Sequence, residues 1–147
     1  MSESKVMSPL DAIIAKREAR RVLATEARAA QDLIDLTAID ALEEEFGFNS
    51  VTSCEVRGYT PGLPARAAVK APEAKYYKRY CDQVRRANDD LGARGKALDM
   101  LAEACWVYPS EPEVRKSMLE KFPGLLLVLG LEAIKLAELK ASAEEKH

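Results

Sequence analysis

The chain has 147 residues, of which 48% are hydrophobic and 31% charged, with a formal net charge of −2. That length suits one ordinary domain, which buries about two thirds of the surface its unfolded chain exposes. The composition excludes a disordered chain, and the longest apolar run, Leu125 to Leu131, is far short of the roughly twenty residues a bilayer span needs.

The first residues, Met-Ser-Glu-Ser-Lys, contain no apolar stretch of the signal-peptide kind, so the expected location is the cytoplasm. A helix then starts at Ser8-Pro9-Leu10-Asp11: Ser8 is the N-cap, Pro9 takes the first helical position, and Asp11 lies beside the positive helix end. Apolar residues follow at helical spacings through Leu33, Leu36, Ile39, Leu42 and Phe46, and Gly47 supplies the stop. Read as one helix, Pro9 to Phe46 is about 57 Å long at 1.5 Å per residue. A compact domain of this size has a radius of gyration near 15 Å. Either the helix breaks near Gln31-Asp32 or it projects as an arm. In its middle, Ala15 to Ala30, the only large apolar residues are Val22 and Leu23. An arm awaiting a partner is the second of these alternatives, with Leu33, Leu36, Ile39 and Leu42 as its apolar anchors.

Val51 to Gly58 and Ala65 to Ala71 favour strands, and Pro61-Gly62 between them suits the centre of a type II turn. The expected element is an antiparallel hairpin over residues 51–71 with a six-residue loop. Two strands alone are marginal in water, so this hairpin must pack on a helix or join another sheet. From Pro72 the chain turns helical, with Tyr77, Tyr80, Cys81, Val84 and Leu91 on one face. Asn88-Asp89-Asp90, Gly92 and Gly95 separate that helix from another over Lys96 to Tyr108, whose apolar intervals through Leu98, Leu101, Ala102 and Cys105 place Trp106 in the core. Ser110-Glu111-Pro112-Glu113 reads as a capping box for a short helix buried through Val114, Met118, Leu119 and Phe122. A final helix runs from Pro123 to about Ala141. Its start, Leu125 to Leu129, is apolar all round, which suits a buried central helix or a partner-facing surface with Leu126 and Leu129 as contacts. Residues 142–147 are expected to fray.

The whole is therefore expected to be one α+β domain, predominantly α-helical: an N-terminal helical segment at 8–47, a hairpin at 51–71 and a helical body at 72–141. No catalytic machinery emerges. The one histidine, His147, is the last residue, which removes imidazole from any ordered triad. Cys54, Cys81 and Cys105 are widely spaced, without a Cys-x-x-Cys pair, and suit buried thiols rather than disulfides or a metal site. Asp89-Asp90 and Glu43-Glu44-Glu45 fall at helix ends or loops as solvated acids. No phosphate-binding glycine loop or nucleophile elbow occurs, and no cofactor is expected.

Charge is unevenly spread: residues 66–96 carry 9 basic and 4 acidic side chains, while the flanking segments are acidic. Lys75, Lys78, Arg79, Arg85 and Arg86, interleaved with tyrosines, form a candidate basic patch. Basic and aromatic side chains together can hold phosphates and stack bases. The same pattern also makes the solvated face of an amphipathic helix. Nucleic-acid binding through this segment is thus the alternative to polypeptide binding.

From about Ala65 onward the chain resembles the tail assembly chaperones of long-tailed bacteriophages and prophages. Three features carry the resemblance, in order. Ala65-Arg66-Ala67-Ala68-Val69-Lys70-Ala71-Pro72 is similar to that family's strand leading into a basic, aromatic helix. Cys105-Trp106-Val107-Tyr108-Pro109-Ser110 resembles its aromatic-Pro-Ser junction, and Phe122-Pro123-Gly124-Leu125 its Pro-Gly step into the final helix. The match covers roughly residues 65–140 and leaves residues 1–50 without a counterpart. It implies a small non-enzymatic protein that binds a tape-measure-type polypeptide during tail assembly, with no catalytic residues to carry over. Apart from the resemblance, self-association is also open.

Overall fold

The computed structural model of the chain describes residues 7–145. It is 70% helical, with five helices and one three-stranded antiparallel sheet, a predominantly helical α+β fold. In chain order the elements are α1 (Pro9–Phe46), β1 (Val51–Glu55), β2 (Arg66–Lys70), α2 (Ala74–Ala87), α3 (Leu91–Cys105), β3 (Trp106–Tyr108), α4 (Pro112–Lys121) and α5 (Leu125–Glu145). Among the described residues no helix is long and apolar enough to cross a membrane.

The sheet is the middle layer. Its order is β1-β2-β3, so β2 is central, and each face of β2 is covered. Side chains alternate across a strand with period two. Ala67 and Val69 accordingly pack toward α3 and α5, while Ala68 packs with Ile39 of α1 and Val51. Small residues at Ala67 and Ala68 let a helix approach on both sides. The larger core lies on the α3/α5 side, where Leu101, Ala102 and Cys105 of α3 meet Leu125, Leu129, Ala133 and Leu136 of α5, with Met118 of α4 fully buried among them. All four residues expected to bury α4, Val114, Met118, Leu119 and Phe122, contribute to this core.

The third strand is the main departure from the sequence reading, which carried a helix through Tyr108. Helix α3 stops at Cys105. Trp106-Val107-Tyr108 is rich in β-favouring side chains, and Pro109 disfavours helical geometry at the residue before it. The hairpin thereby gains a partner along β2. The pairing sets Val69 opposite Trp106 and Ala68 opposite Tyr108, two residues of β2 against three of β3. This bulge sends Trp106 into the larger core and Tyr108 to the α1 side.

Several boundaries are corrected. Helix α1 does not break near Gln31-Asp32 but is continuous for 38 residues. The strands of the hairpin end at Glu55 and start at Arg66, so its connection is longer than six residues, although Val56 N–H still bonds to Ala65 C=O at 2.8 Å. Within the connection Leu63 N–H donates to Thr60 C=O and Gly62 has φ 90°, the type II turn expected of Pro61-Gly62. Leu91 is not on the α2 face: Asn88, with φ 53°, ends α2, and Asp90 Oδ1 caps α3 by accepting from Ala93 N–H at 3.1 Å. That makes Leu91 the first residue of α3, 82% exposed. The α2 residues facing the core are Tyr76 and Tyr80, with Tyr77 stacked on Tyr80 at 6.4 Å between ring centroids. Ser110 does not cap α4. Pro112 holds the first helical position, which moves the cap to Glu111, and Glu111 makes no side-chain cap bond. Helix α5 begins at Leu125 rather than Pro123 and continues to Glu145, past the point where fraying was expected. His147 and the first six residues lie outside the described residues.

Candidate functional site

Helix α1 forms from local rules. Ser8 Oγ accepts from Asp11 N–H at 3.1 Å, Pro9 fits the first turn, and no glycine interrupts the segment until Gly47, whose φ of 102° ends the helix. Only its second half is held by the body. Arg28 makes the first attachment, donating to Val56 C=O at 2.8 Å and to Glu55 Oε1 at 2.9 Å. Asp32 then meets Arg66 at 3.3 Å. Asp35, fully buried, accepts from Ala65 N–H at 2.8 Å, from Gln31 Nε2 at 2.9 Å and from the Tyr108 hydroxyl. Further down, Ile39 packs on Val51 and Ala68, with Leu42 and Phe46 beside it, and Lys70 Nζ sits 5.0 Å above the Phe46 ring.

Above Arg28 every residue from Ile13 to Ala27 is exposed. The helix therefore projects from the body for about 28 Å. The face that packs on the sheet does not end where the body ends. At 3.6 residues per turn Leu10 and Ile14 fall on the same side of α1 as Arg28, Asp35, Ile39 and Phe46, with the polar Glu18, Arg21 and Thr25 between the two groups. Leu10, Ile13 and Ile14 thus sit on the body-facing side of α1 but beyond the body, and are 66%, 49% and 55% exposed. They form an apolar overhang with nothing beneath it among the described residues.

The anchors expected in this helix are divided by the structure. Leu33 and Leu36 are solvent-exposed, at 71% and 46%, and Leu36 borders a hollow that Ile39 and Ser53 also line. Ile39 is buried and Leu42 is half-buried against the sheet, so neither is open to a partner. A helical face is about half of a circumference, and four residues at intervals of three reach around it; the spacing did not separate inner from outer. In α5 the expected contacts fall on the core side, with Leu129 1% exposed and Leu126 packed half-buried against the same core. The neighbours Leu127, Val128 and Leu131 are the exposed ones, at 51%, 42% and 46%.

Of the basic patch, Lys75, Lys78, Arg79 and Arg86 gather around a shallow hollow of about 370 Å³ that Asp82 also lines. Arg85 is not among them and pairs with Asp82 at 3.3 Å. Lys75 and Arg79 both lie over the Tyr76 ring, at 4.9 and 5.5 Å from its centroid. That ring is turned against the core rather than presented for stacking.

The structure also exposes what the sequence reading missed. Asp35 is the buried fastener of α1. Its only signal was position: an acid standing in the same three-and-four ladder as Ile39, Leu42 and Phe46. Arg115 carries no such signal in the sequence. Its guanidinium lies 5.3 Å from the Trp106 ring centroid and donates to the carbonyl oxygens of Trp106 and Pro109. All three cysteines are free. Burial pushes the Cys105 thiol up to about 11 and raises that of Cys54, the opposite of an activated nucleophile. Among the described residues no group of three His, Cys, Asp or Glu side chains is placed to hold a metal ion.

No family model matches the chain, and no curated protein or solved structure matches it.

Proposed function

We propose that this protein is a non-enzymatic binding protein of the tail-assembly-chaperone kind, which holds an elongated, helix-rich polypeptide of tape-measure type while its apolar stripes are still uncovered. The observation that supports this reading is the overhang on α1, where the side of the helix that packs on the sheet carries a second apolar cluster near its tip and leaves Leu10, Ile13 and Ile14 in solvent. Maintaining a free apolar ledge on a projecting helix has a cost in solubility, which a client helix laid into the corner between arm and body offsets. Such a client needs apolar anchors at three- and four-residue intervals, matching those of the ledge. A long helical client exposes repeated stripes of that kind before assembly and aggregates unless they are covered.

The test is co-expression with a tape-measure-type polypeptide. The full chain should raise the client's soluble yield and elute with it on size exclusion. Ile13→Glu together with Ile14→Glu should abolish the complex while leaving the unfolding midpoint of the protein unchanged, since both side chains are exposed. A client that stays insoluble beside the full-length chain, with no complex eluting, rejects the proposal. Capture lost in Leu127→Glu but kept in the arm variant would move the client to α5.

A further inference from the structure

We infer that the exposed flank of α1, about 100° around from the face that packs on the sheet, is where a second copy of this chain docks, with the two α1 helices running antiparallel. The inference is separate from client capture, because the line of residues it uses includes none of Leu10, Ile13 and Ile14.

Three observations converge on a second copy. The first is the seam. Ala15, Ala19, Val22, Ala29, Leu33 and Leu36 recur at alternating three- and four-residue steps, with Glu26 as the one polar member. At 3.6 residues per turn this line is the body-facing ladder of Arg28, Asp32 and Asp35 shifted by one residue, and so lies about 100° around the helix from it. Val22, Leu33 and Leu36 on it are 47%, 71% and 46% exposed. The spacing is that of a two-stranded coiled coil, and the body leaves the whole line open.

The second observation is charge. Between residues 16 and 28 the helix carries Lys16, Arg17, Arg20, Arg21 and Arg28 against Glu18 and Glu26. Between 32 and 45 it carries six acids and no base, and of these Asp40, Glu43, Glu44 and Glu45 are exposed. A parallel pair sets like charge beside like. An antiparallel pair sets the basic half of each helix beside the acidic half of the other. The complementary partner is therefore written into the same helix, as a self-complementary two-fold interface requires.

The third observation is volume. The seam is small toward the tip, at Ala15 and Ala19, and large toward the body, at Leu33 and Leu36. Antiparallel pairing opposes small to large along its length. The register that sets Val22 against Leu33 of the second copy sets Ala19 against its Leu36, and brings Lys16 alongside its Asp40. Glu26 then opposes an alanine, Ala29, near the two-fold axis, where its carboxylate has room to reach solvent.

Sedimentation equilibrium of the full chain alone should give a dimer that weakens as salt screens the charge pairing. Leu33→Glu with Leu36→Glu should weaken it by roughly a hundredfold or more in Kd, at about 1.4 kcal/mol per tenfold, without lowering the unfolding midpoint of the monomer. Orientation is read by oxidation: Val22→Cys mixed with Leu33→Cys should yield a cross-linked pair absent from the wild-type chain, and Val22→Cys by itself should not. A monomeric wild-type chain overturns the inference, as does a dimer indifferent to the glutamates. Efficient Val22→Cys self-cross-linking overturns the antiparallel arrangement. Because the ledge residues Ile13 and Ile14 are not part of the seam, loss of the dimer with client capture intact separates failure here from failure of the proposed function.

Discussion

The Tyr108 hydroxyl donates to the Asp35 carboxylate across 73 residues of chain, fastening the third strand to the middle of the long helix. The same carboxylate takes the Ala65 N–H at the end of the hairpin connection, so one buried acid ties three elements together. A buried donor stripped of its acceptor costs about 1–3 kcal/mol. Asp35→Ala strips two in the body, and should lower the stability measured by urea unfolding by about 3 kcal/mol. Tyr108→Phe removes only one partner and should cost about 1 kcal/mol. In the double variant the losses should be clearly less than additive, because the two groups share a bond.

Two glycines in helices should respond to alanine with opposite signs. A Cβ at Gly130 would stand 2.7 Å from Leu98 Cγ and 3.1 Å from the Leu98 carbonyl oxygen, where α5 crosses α3. Gly130→Ala should therefore destabilise by about 1–3 kcal/mol, outweighing the gain in helix propensity. At Gly95 a Cβ meets nothing within 4 Å. Gly95→Ala should stabilise by up to about 1 kcal/mol. Thermal unfolding of the two variants side by side gives the comparison.

Trp106 is 5% exposed, its ring lies under Arg115, and its Nε1–H donates to Tyr108 C=O at 2.7 Å. Its emission should be blue-shifted relative to free tryptophan, and Trp106→Ala should cost about 3–5 kcal/mol. Arg115→Lys should not behave as a conservative change. A single ammonium cannot serve both carbonyl oxygens in the planar fork that the guanidinium supplies. The emission maximum of that variant should shift to the red.

Stability should fall on the alkaline side. Burial raises the Cys105 thiol from about 9 to about 11, and burial followed by the bond to Asp35 raises the Tyr108 phenol from 10. Both groups hold their protons more tightly folded than unfolded. Their contribution is thus complete below about pH 9 and is lost as pH rises through the folded values. The urea midpoint at pH 10.5 should lie below that at pH 8. Cys105→Ala should reduce the difference, whatever it does to absolute stability.

Much of the architecture was legible because it rests on near-neighbour chemistry. Ser8-Pro9 begins α1 and Gly47 ends it; Pro61-Gly62 makes its turn; the stripe from Val114 to Phe122 buries α4. These depend on residues within a turn or two of one another. The strand Trp106–Tyr108 was not read because the helical intervals before it run on without a break, and three residues become a strand only when β2 offers them an edge. Among the functional candidates, Leu33 and Leu36 are exposed, whereas Ile39, Leu42, Leu126 and Leu129 pack against the core.

By itself, then, the sequence determined the helical character of the chain, the hairpin turn, the apolar spacings of α1 and the polarity of its charges, since each is a property of one segment. Which side of α1 faces inward was decided only by the tertiary structure. An apolar spacing names a face without saying what lies opposite, and it is the reach of Ala65, Arg66 and Tyr108 to Asp32 and Asp35 that orients the helix. The same contacts set where the body stops at Arg28, and so leave Leu10, Ile13 and Ile14 uncovered while burying Asp35 and Ile39 on the same side of the helix further down.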